Sequence, residues 1–170
     1  MIDIDEVAAT LELLPSALRT LLAPYDHEVL SSRPEPGEWC VLEVVGHLFT
    51  CDGGAFRDRI EALVGGADQV PGFDAGAALY DLDPMNATID ELLDRLAVVR
   101  AESVAFVRTL SVDSLSAAAP FRGEGMLAAS DFLLEWPYHD QDHIRQILDA
   151  VQRHYLPDMG DTMRTALTGT

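Results

Sequence analysis

The chain has 170 residues, of which 48% are hydrophobic and 24% are charged, as in an average folded domain. Its 11 lysine and arginine residues stand against 29 aspartate and glutamate residues, which gives a formal net charge of −18 at pH 7. Binding to DNA, RNA or an anionic membrane surface draws on basic side chains, so this charge argues against all three as partners. The length fits a single domain over residues 1–170.

The sequence carries no recognisable export or membrane signal. No apolar run approaches the roughly 20 residues that a membrane-spanning helix needs. The first residues, MIDIDEVAATLELL, are acidic and lack the basic start and small-residue cleavage site of a signal peptide. Cys40 and Cys51 form no CxxC pair and are too few for a disulfide framework. We therefore expect a cytoplasmic protein with reduced thiols.

Apolar residues at helical spacing predict a first helical segment between Asp5 and about Tyr25. Pro15 lies inside this segment and has no backbone N–H. We therefore expect one short helix to end near Leu14 and a second to begin at or just after Pro15. The following stretch SSRPEPGEW, residues 31–39, contains prolines and a glycine and predicts a loop.

The stretch CVLEVVGHLFTCDGGAFRDRIEALVGG, residues 40–66, predicts a long helix with one broad apolar face. Gly53 and Gly54 each cost about 1 kcal/mol relative to alanine within a helix. We therefore expect a close helix contact or a local bend at this glycine pair. Residues 65–85 are loop-like, with at most one short helical turn.

A third helix is predicted to begin after a cap at Asn86 or Thr88 and to run to about Leu110. Residues 111–126 contain Pro120 and two glycines, and they predict a break in the helical pattern. No segment of the chain shows the sustained alternation of apolar and polar residues that is typical of a strand.

The last long helix is predicted to span roughly Leu127 to Tyr155, and Pro137 should kink it. Residues 157–170 form a tail with at most a short helix. Four substantial helices, with a long connection between the second and the third, predict an all-α four-helix bundle.

Three of the five histidines lie on apolar faces of predicted helices, namely His47, His139 and His143. The last two are four residues apart, so they lie one turn from each other on one helix face. A buried imidazole needs a hydrogen bond or a metal, and three imidazoles can converge on one divalent cation. The alternative is that these histidines bond backbone carbonyls or face solvent. His27 and His154 lie near helix ends in polar surroundings, where we expect them to be exposed.

The motifs that surround these histidines are PEPGEWCVLEVVGHLFTCD and, much later in the chain, LLEWPYHDQDHIRQIL. Their order and spacing closely resemble those of the DinB-like (DinB/YfiT) superfamily, and the resemblance covers nearly the entire chain. It implies a single DinB-like domain, a four-helix bundle of the DinB/YfiT type with long connections, a three-histidine divalent-metal site and often a homodimer. It identifies His47 as the ligand on the second helix and His139 and His143 as the pair on the last helix.

Other residues near the expected ligands have two interpretations each. Cys51 shares a helical face with the second-helix histidine, and it is either a fourth ligand or reactive thiol, or a small core residue. Asp52 and Asp140 are either outer-sphere carboxylates that accept an imidazole N–H or solvated surface charges. Trp39 and Trp136 either wall a pocket or pack in the core.

A divalent ion on three neutral imidazoles is a Lewis acid that lowers the pKa of bound water or binds a thiolate. Zinc, nickel, iron and manganese all fit such ligands. The resemblance implies a metal-dependent enzyme that uses a low-molecular-weight thiol, such as mycothiol or bacillithiol, on a small-molecule substrate. The alternatives are a metal-dependent hydrolase and a non-enzymatic, stress-associated metal-binding dimer. Arg145 and Gln146 lie near the histidine pair and are candidates for substrate contact.

Overall fold

The computed structural model describes residues 2–169 as a helical bundle. In chain order the elements are α1 (Ile4–Leu22), α2 (His27–Ser31), α3 (Val41–Cys51), a π-helical turn (Asp52–Arg57), α4 (Asp58–Val64), α5 (Ala75–Leu82), α6 (Ile89–Val107), β1 (Ala118–Pro120), β2 (Met126–Ala128), α7 (Ala129–Arg153) and α8 (Asp161–Thr168). Single turns of 3₁₀ helix lie at Pro84–Asn86, Ser114–Ser116 and Leu156–Asp158.

Four long helical segments form the bundle, which confirms the predicted all-α fold. They are α1, the continuous stretch from α3 through the π-helical turn into α4, then α6 and α7. Within residues 2–169 no helix has both the length and the apolar composition that a membrane crossing requires.

The first helix is continuous through Pro15, so the predicted split at this residue is wrong. A proline inside a helix leaves the carbonyl four residues earlier without its usual donor, and here that carbonyl belongs to Leu11. Arg100 of α6 replaces the missing donor, because its Nη1 group donates to the Leu11 carbonyl at 3.0 Å. Local sequence could not reveal this partner, since it lies 89 residues further along the chain.

The second segment is helical from α3 to α4, as predicted, with the π-helical turn at its centre. Gly54 in this turn touches Phe73 of the following loop, and a Cβ atom on Gly54 would lie 2.4 Å from the Phe73 ring. The close contact expected at the glycine pair is therefore present, although it is made with a loop. That loop also contains α5, which is longer than the single turn predicted and begins after a cap by Asp74 on the Ala77 N–H.

The break before the last helix contains a two-stranded antiparallel hairpin that the sequence pattern did not predict. Each strand has three residues, which is too few for an alternating pattern to be recognised. Gly123 and Gly125 in the connection have φ angles of 82° and 127°, a region that other residues rarely adopt. The hairpin leads into α7. This helix begins two residues after the predicted start, ends two residues before the predicted end and continues through Pro137.

Two apolar clusters follow each other along the bundle. The hairpin-side cluster packs beside the β1–β2 hairpin and includes Leu11, Phe56, Val104 and Trp136. The loop-side cluster packs beside the 31–39 loop and includes Leu18, Leu48, Leu96 and Ile147. All four long segments contribute to both clusters, so each segment crosses the level at which one cluster ends and the other begins.

Polar residues occupy the level between the two clusters, and we call them the polar layer. Its members are His47 and Asp52 on the second segment, Arg100 and Ser103 on α6, and His139, Asp140 and His143 on α7. On α6, for example, Arg100 lies between Leu96 of one cluster and Val104 of the other. Burying a polar group without a partner is costly, so each member of this layer requires one.

Candidate metal site

The three histidines expected to bind metal lie together in the polar layer. The ring centroids of His139 and His143 are 4.4 Å apart, and those of His47 lie 5.2 Å from His139 and 4.7 Å from His143. The Nε2 atoms of His47 and His139 are 3.1 Å apart. We call these three rings, with the adjacent Cys51, the histidine cluster. Among the described residues, the donor atoms that lie within 4.8 Å of one another belong to His47, Cys51 and His139, and His143 is not part of that group. The three-histidine ligand set therefore stays a prediction.

The separation of the two Nε2 atoms fits a shared cation. Two nitrogens bound tetrahedrally at about 2.0–2.1 Å are about 3.3–3.4 Å apart, and cis ligands of an octahedral ion are about 3.0 Å apart. The separation between His47 and His139, 3.1 Å, lies between these values. It is also a hydrogen-bonding distance between one protonated and one bare nitrogen.

The facing nitrogens of the two rings favour the cation. Nε2 of His47 lies beside Nε2 of His139 and 3.5 Å from the Cys51 sulfur, and among the described residues no hydrogen bond joins either ring to a carbonyl or a carboxylate. Imidazole nitrogens and a thiol are donors that a divalent metal accepts. The Nδ1 atom of His139 is buried without a partner among the described residues, and a metal on Nε2 leaves it so. These residues therefore fit a divalent metal.

Gln146 binds one nitrogen of His143 and leaves the other free for a metal. Its Nδ1 atom lies 2.8 Å from the side-chain oxygen of Gln146. An amide oxygen only accepts hydrogen bonds, so His143 Nδ1 carries the proton and its Nε2 atom keeps the free lone pair. An outer partner of this kind is usual for metal-binding histidines. Gln146, expected only as a substrate contact, therefore orients the third imidazole.

Burial keeps the other two imidazoles neutral. Burial, together with the nearby His143, lowers the pKa of His47 to about 4. Burial, together with His143 and His47, lowers the pKa of His139 to about 3. Neutral imidazole is the form that binds metal, so both rings are ready to act as ligands at pH 7.

Cys51 belongs to the core and also lies within reach of the candidate metal. Its side chain is buried in the hairpin-side cluster, and burial raises the pKa of its thiol to about 12. One donor atom from each of His47, Cys51 and His139 can be chosen so that all three lie within 4.8 Å of one another. The sulfur is 3.5 Å from Nε2 and 3.6 Å from Nδ1 of His47, so it packs between the two nitrogens rather than in line with either lone pair.

Asp52 and Asp140 bind an arginine, which corrects the prediction that they accept imidazole N–H groups. Arg100 donates from Nε to Asp52, and from Nη1 and Nη2 to Asp140 at 2.6 and 3.1 Å. The hydroxyl of Ser103 also donates to Asp52. We call these four residues the Arg100 cluster. Both carboxylates are buried, so the alternative of solvated surface charges is wrong as well.

Sequence reasoning missed Arg100, although one signal marked it. The residue is four positions from both Leu96 and Val104, and so it interrupts the inward apolar stripe of α6 with a charge. An arginine in that position is buried only if it is paired, and its exposed fraction is 2%. Burial opposes the charge of Arg100, but Asp140 and Asp52 outweigh this effect and raise its pKa above the usual value.

The two tryptophans have different surroundings. Trp136 is fully buried in the hairpin-side cluster, where its ring stacks on Phe56 with centroids 5.1 Å apart, so it is a core residue. Trp39 is half-buried, and its ring centroid lies 4.9 Å from that of His47. It lines a cavity of about 260 Å³ together with Pro34, Gly37, Glu38, Gln146 and Asp149. This cavity touches the histidine cluster through Trp39 and Gln146, which suits a small substrate.

Comparisons with known proteins identify the family and the fold. The family model of the DinB superfamily matches residues 10–147. No curated protein matches the sequence. Among solved structures, the chain is similar to YfiT from Bacillus subtilis, described as a probable metal-dependent hydrolase with an unusual four-helix bundle topology. The two chains share 19% identity with a TM-score of 0.79, and the match covers 91% of this chain and 90% of YfiT.

Proposed function

Since the chain belongs to the DinB superfamily, we propose that it binds a divalent metal ion through His47, His139 and His143 and uses the ion in catalysis. The observation that carries this proposal is the convergence of neutral imidazoles from α3 and α7, with two Nε2 atoms 3.1 Å apart. The grouping of donor atoms supports it, because one donor atom from each of His47, Cys51 and His139 lies within 4.8 Å of the other two.

The residues around the histidine cluster have definable tasks in such a site. A bound divalent ion supplies Lewis acidity, which lowers the pKa of a coordinated thiol or water. Gln146 holds the proton of His143 on Nδ1. Phe56 packs edge-on against His139, with centroids 5.1 Å apart, and excludes water from that side. Trp39 covers His47 on the side of the cavity, through which a small substrate can approach.

The reaction we propose is transfer to or from a low-molecular-weight thiol, such as mycothiol or bacillithiol, with an electrophilic small molecule as the second substrate. A cavity beside the expected metal supports a small substrate. Hydrolysis is the second candidate, and it is favoured by the description of YfiT as a probable metal-dependent hydrolase. A cytoplasmic location, where such thiols are available, and a homodimer are part of the first proposal.

Metal analysis tests the site first. The wild-type protein, His143→Ala and the control His154→Ala are purified identically and their metal content is measured after loading with zinc, nickel, iron or manganese. His154 is exposed and lies outside the histidine cluster, so its variant should retain the wild-type metal content. We expect one equivalent in the wild type and a large loss in His143→Ala. Equal metal content in all three proteins would remove the ligand assignment.

Turnover assays then separate the two candidate reactions. The metal-loaded protein is incubated with an electrophile in the presence and absence of each thiol, and separately with ester and amide substrates. Thiol-dependent consumption of the electrophile supports transfer, whereas ester or amide cleavage without thiol supports hydrolysis. A protein that binds metal, is stabilised by it and turns over neither class is the non-enzymatic metal-binding protein of the third alternative.

A further inference from the structure

The Arg100 cluster joins the four long segments of the bundle at one level. Arg100 lies on α6, and its guanidinium donates to Asp52 of the second segment, to Asp140 of α7 and to the Leu11 carbonyl of α1. Ser103, also on α6, adds a donor to Asp52. One planar side chain therefore fixes the spacing of three helices relative to its own.

The two carboxylates of this cluster are immediate neighbours of the histidine cluster. Asp140 directly follows His139 in α7 and lies one turn before His143. Asp52 directly follows Cys51 and lies five residues after His47. Because the backbone of a helix is rigid over one turn, any shift of Asp52 relative to Asp140 also moves the imidazole nitrogens relative to one another.

Stability alone does not account for such a cluster. Taking a guanidinium and two carboxylates out of water is so costly that well-packed apolar residues are often equally stabilising in their place. The exposed fractions here are 2% for Arg100, 0% for Asp52 and 5% for Asp140. The best-attested use of buried ions is to fix one relative arrangement of helices, because a shifted arrangement leaves a charge unpaired.

We infer that Arg100 is a positioning residue, which holds α3 and α7 at the spacing that the three imidazoles need to bind one cation. This inference rests on the proposed metal site and deepens it. Arg100 touches no proposed ligand side chain in any described hydrogen bond, so it acts through Asp52 and Asp140. The guanidinium makes these hydrogen bonds from three nitrogens in a fixed plane, whereas a lysine ammonium carries its donors on one nitrogen and cannot reproduce the fork.

Cobalt binding provides the test, because the visible spectrum of Co²⁺ reports its coordination geometry. The wild type, Arg100→Gln, Arg100→Lys, Ser103→Ala and the control Leu22→Ala are stripped of metal and titrated with Co²⁺ below the unfolding temperature of each protein. Leu22 is buried in the loop-side cluster, so its truncation lowers stability without touching the polar layer. The dissociation constant and the spectrum at saturation are measured for each protein.

We expect both Arg100 variants to bind Co²⁺ about 10–100-fold more weakly than the wild type, which is the usual effect of losing an outer partner of a metal site. The spectrum at saturation should change as well, with Arg100→Lys closer to the wild type than Arg100→Gln. Leu22→Ala should match the wild type in affinity and spectrum. Arg100 variants that are folded and keep both properties would overturn the inference.

Two further outcomes of the cobalt titration also test the inference. If both Arg100 variants fail to fold, Ser103→Ala decides, because it removes one donor to Asp52 and leaves the guanidinium in place. A weaker affinity than that of Leu22→Ala then supports the positioning role, and an equal affinity overturns it. A wild-type protein that binds no Co²⁺ overturns the proposed function, and the positioning role with it.

Discussion

The polar layer contains two neighbouring clusters that satisfy their hydrogen bonds in opposite ways. In the Arg100 cluster, the guanidinium donates from all three of its nitrogens, and both oxygens of Asp52 and of Asp140 accept. In the histidine cluster, the Nδ1 atom of His139 has no partner among the described residues, and the Nε2 atoms of His47 and His139 meet each other and a thiol. Within residues 2–169, only His143 has an outer partner, the side-chain oxygen of Gln146.

This difference separates a network that the chain completes by itself from a set of facing donor atoms that a cation would bridge. A buried polar network with every group paired rigidifies the fold, whereas a partly satisfied one is destabilising. A bound cation would pair the Nε2 atoms of His47 and His139, which otherwise meet each other and a thiol. The groups of the Arg100 cluster are hydrogen-bonded without any ligand, and this cluster holds the imidazoles of the neighbouring histidine cluster at their spacing.

The largest effect that we predict follows from removing the guanidinium of Arg100 from the Arg100 cluster. Arg100→Leu leaves the buried Asp140 without its guanidinium and Asp52 with only the Ser103 hydroxyl, and it also removes the side-chain donor to the Leu11 carbonyl. Breaking a buried ion pair from one side typically costs about 3–5 kcal/mol. Urea unfolding of the metal-free protein measures this loss. A loss below about 1 kcal/mol would mean that the cluster contributes little to the fold.

The second prediction concerns metal binding by the histidine cluster. Zinc at a free concentration 100 times its dissociation constant should raise the free energy of unfolding of the wild type by about 2.7 kcal/mol. A chelator should reverse the increase, and His143→Ala should show none under the same conditions. His27→Ala is the control, since His27 is exposed and far along the chain from the ligands. Equal stabilisation of His143→Ala would contradict the proposed ligand set.

The third prediction uses the lowered pKa values of the histidine cluster. The folded pKa is about 4 for His47 and about 3 for His139, against an ordinary value of 6.5. Below pH 6.5 the unfolded chain therefore binds protons that the folded, metal-free protein does not. The contribution of these two histidines to the free energy of unfolding should therefore fall as the pH decreases from 6.5 towards 3. Burial raises the pKa values of Asp52 and Asp140, and their contribution has the opposite sign.

The variant His139→Leu isolates the contribution of one ring to this pH dependence. It lacks one of the two protons taken up on unfolding, so its stability should fall less steeply than that of the wild type between pH 6.5 and 4. Chemical unfolding at a series of pH values provides the two curves. Parallel curves would show that His139 titrates alike in the folded and unfolded states.

The smallest effect is expected at pH 7 for the same variant. His139→Leu removes the unpartnered Nδ1 atom and replaces the ring with an apolar side chain. We expect the metal-free stability to change by less than about 1.5 kcal/mol, as for a substitution that nearly conserves volume. The neighbouring change Asp140→Leu should cost clearly more, because it unpairs Arg100. Unfolding of both variants in parallel tests the comparison at two adjacent residues.

The sequence alone determined which side chains share a face within one helix. The pair His139 and His143 at four residues and the place of His47 on the apolar face of the second segment follow from helical periodicity. The all-α bundle was correctly predicted from the same patterns, and the family resemblance joined the three histidines into one predicted site.

Only the tertiary structure decided which polar groups meet across helices. Arg100 interrupts an apolar stripe visibly, but Asp52 and Asp140, its partners, lie 48 and 40 residues away in the chain. The prediction of a helix end at Pro15 was wrong because the donor that replaces the missing hydrogen bond comes from another helix. A hydrogen bond between distant segments leaves no periodic trace in either of them. The sequence therefore indicated where a metal could be held, and the packing determined what holds its ligands in place.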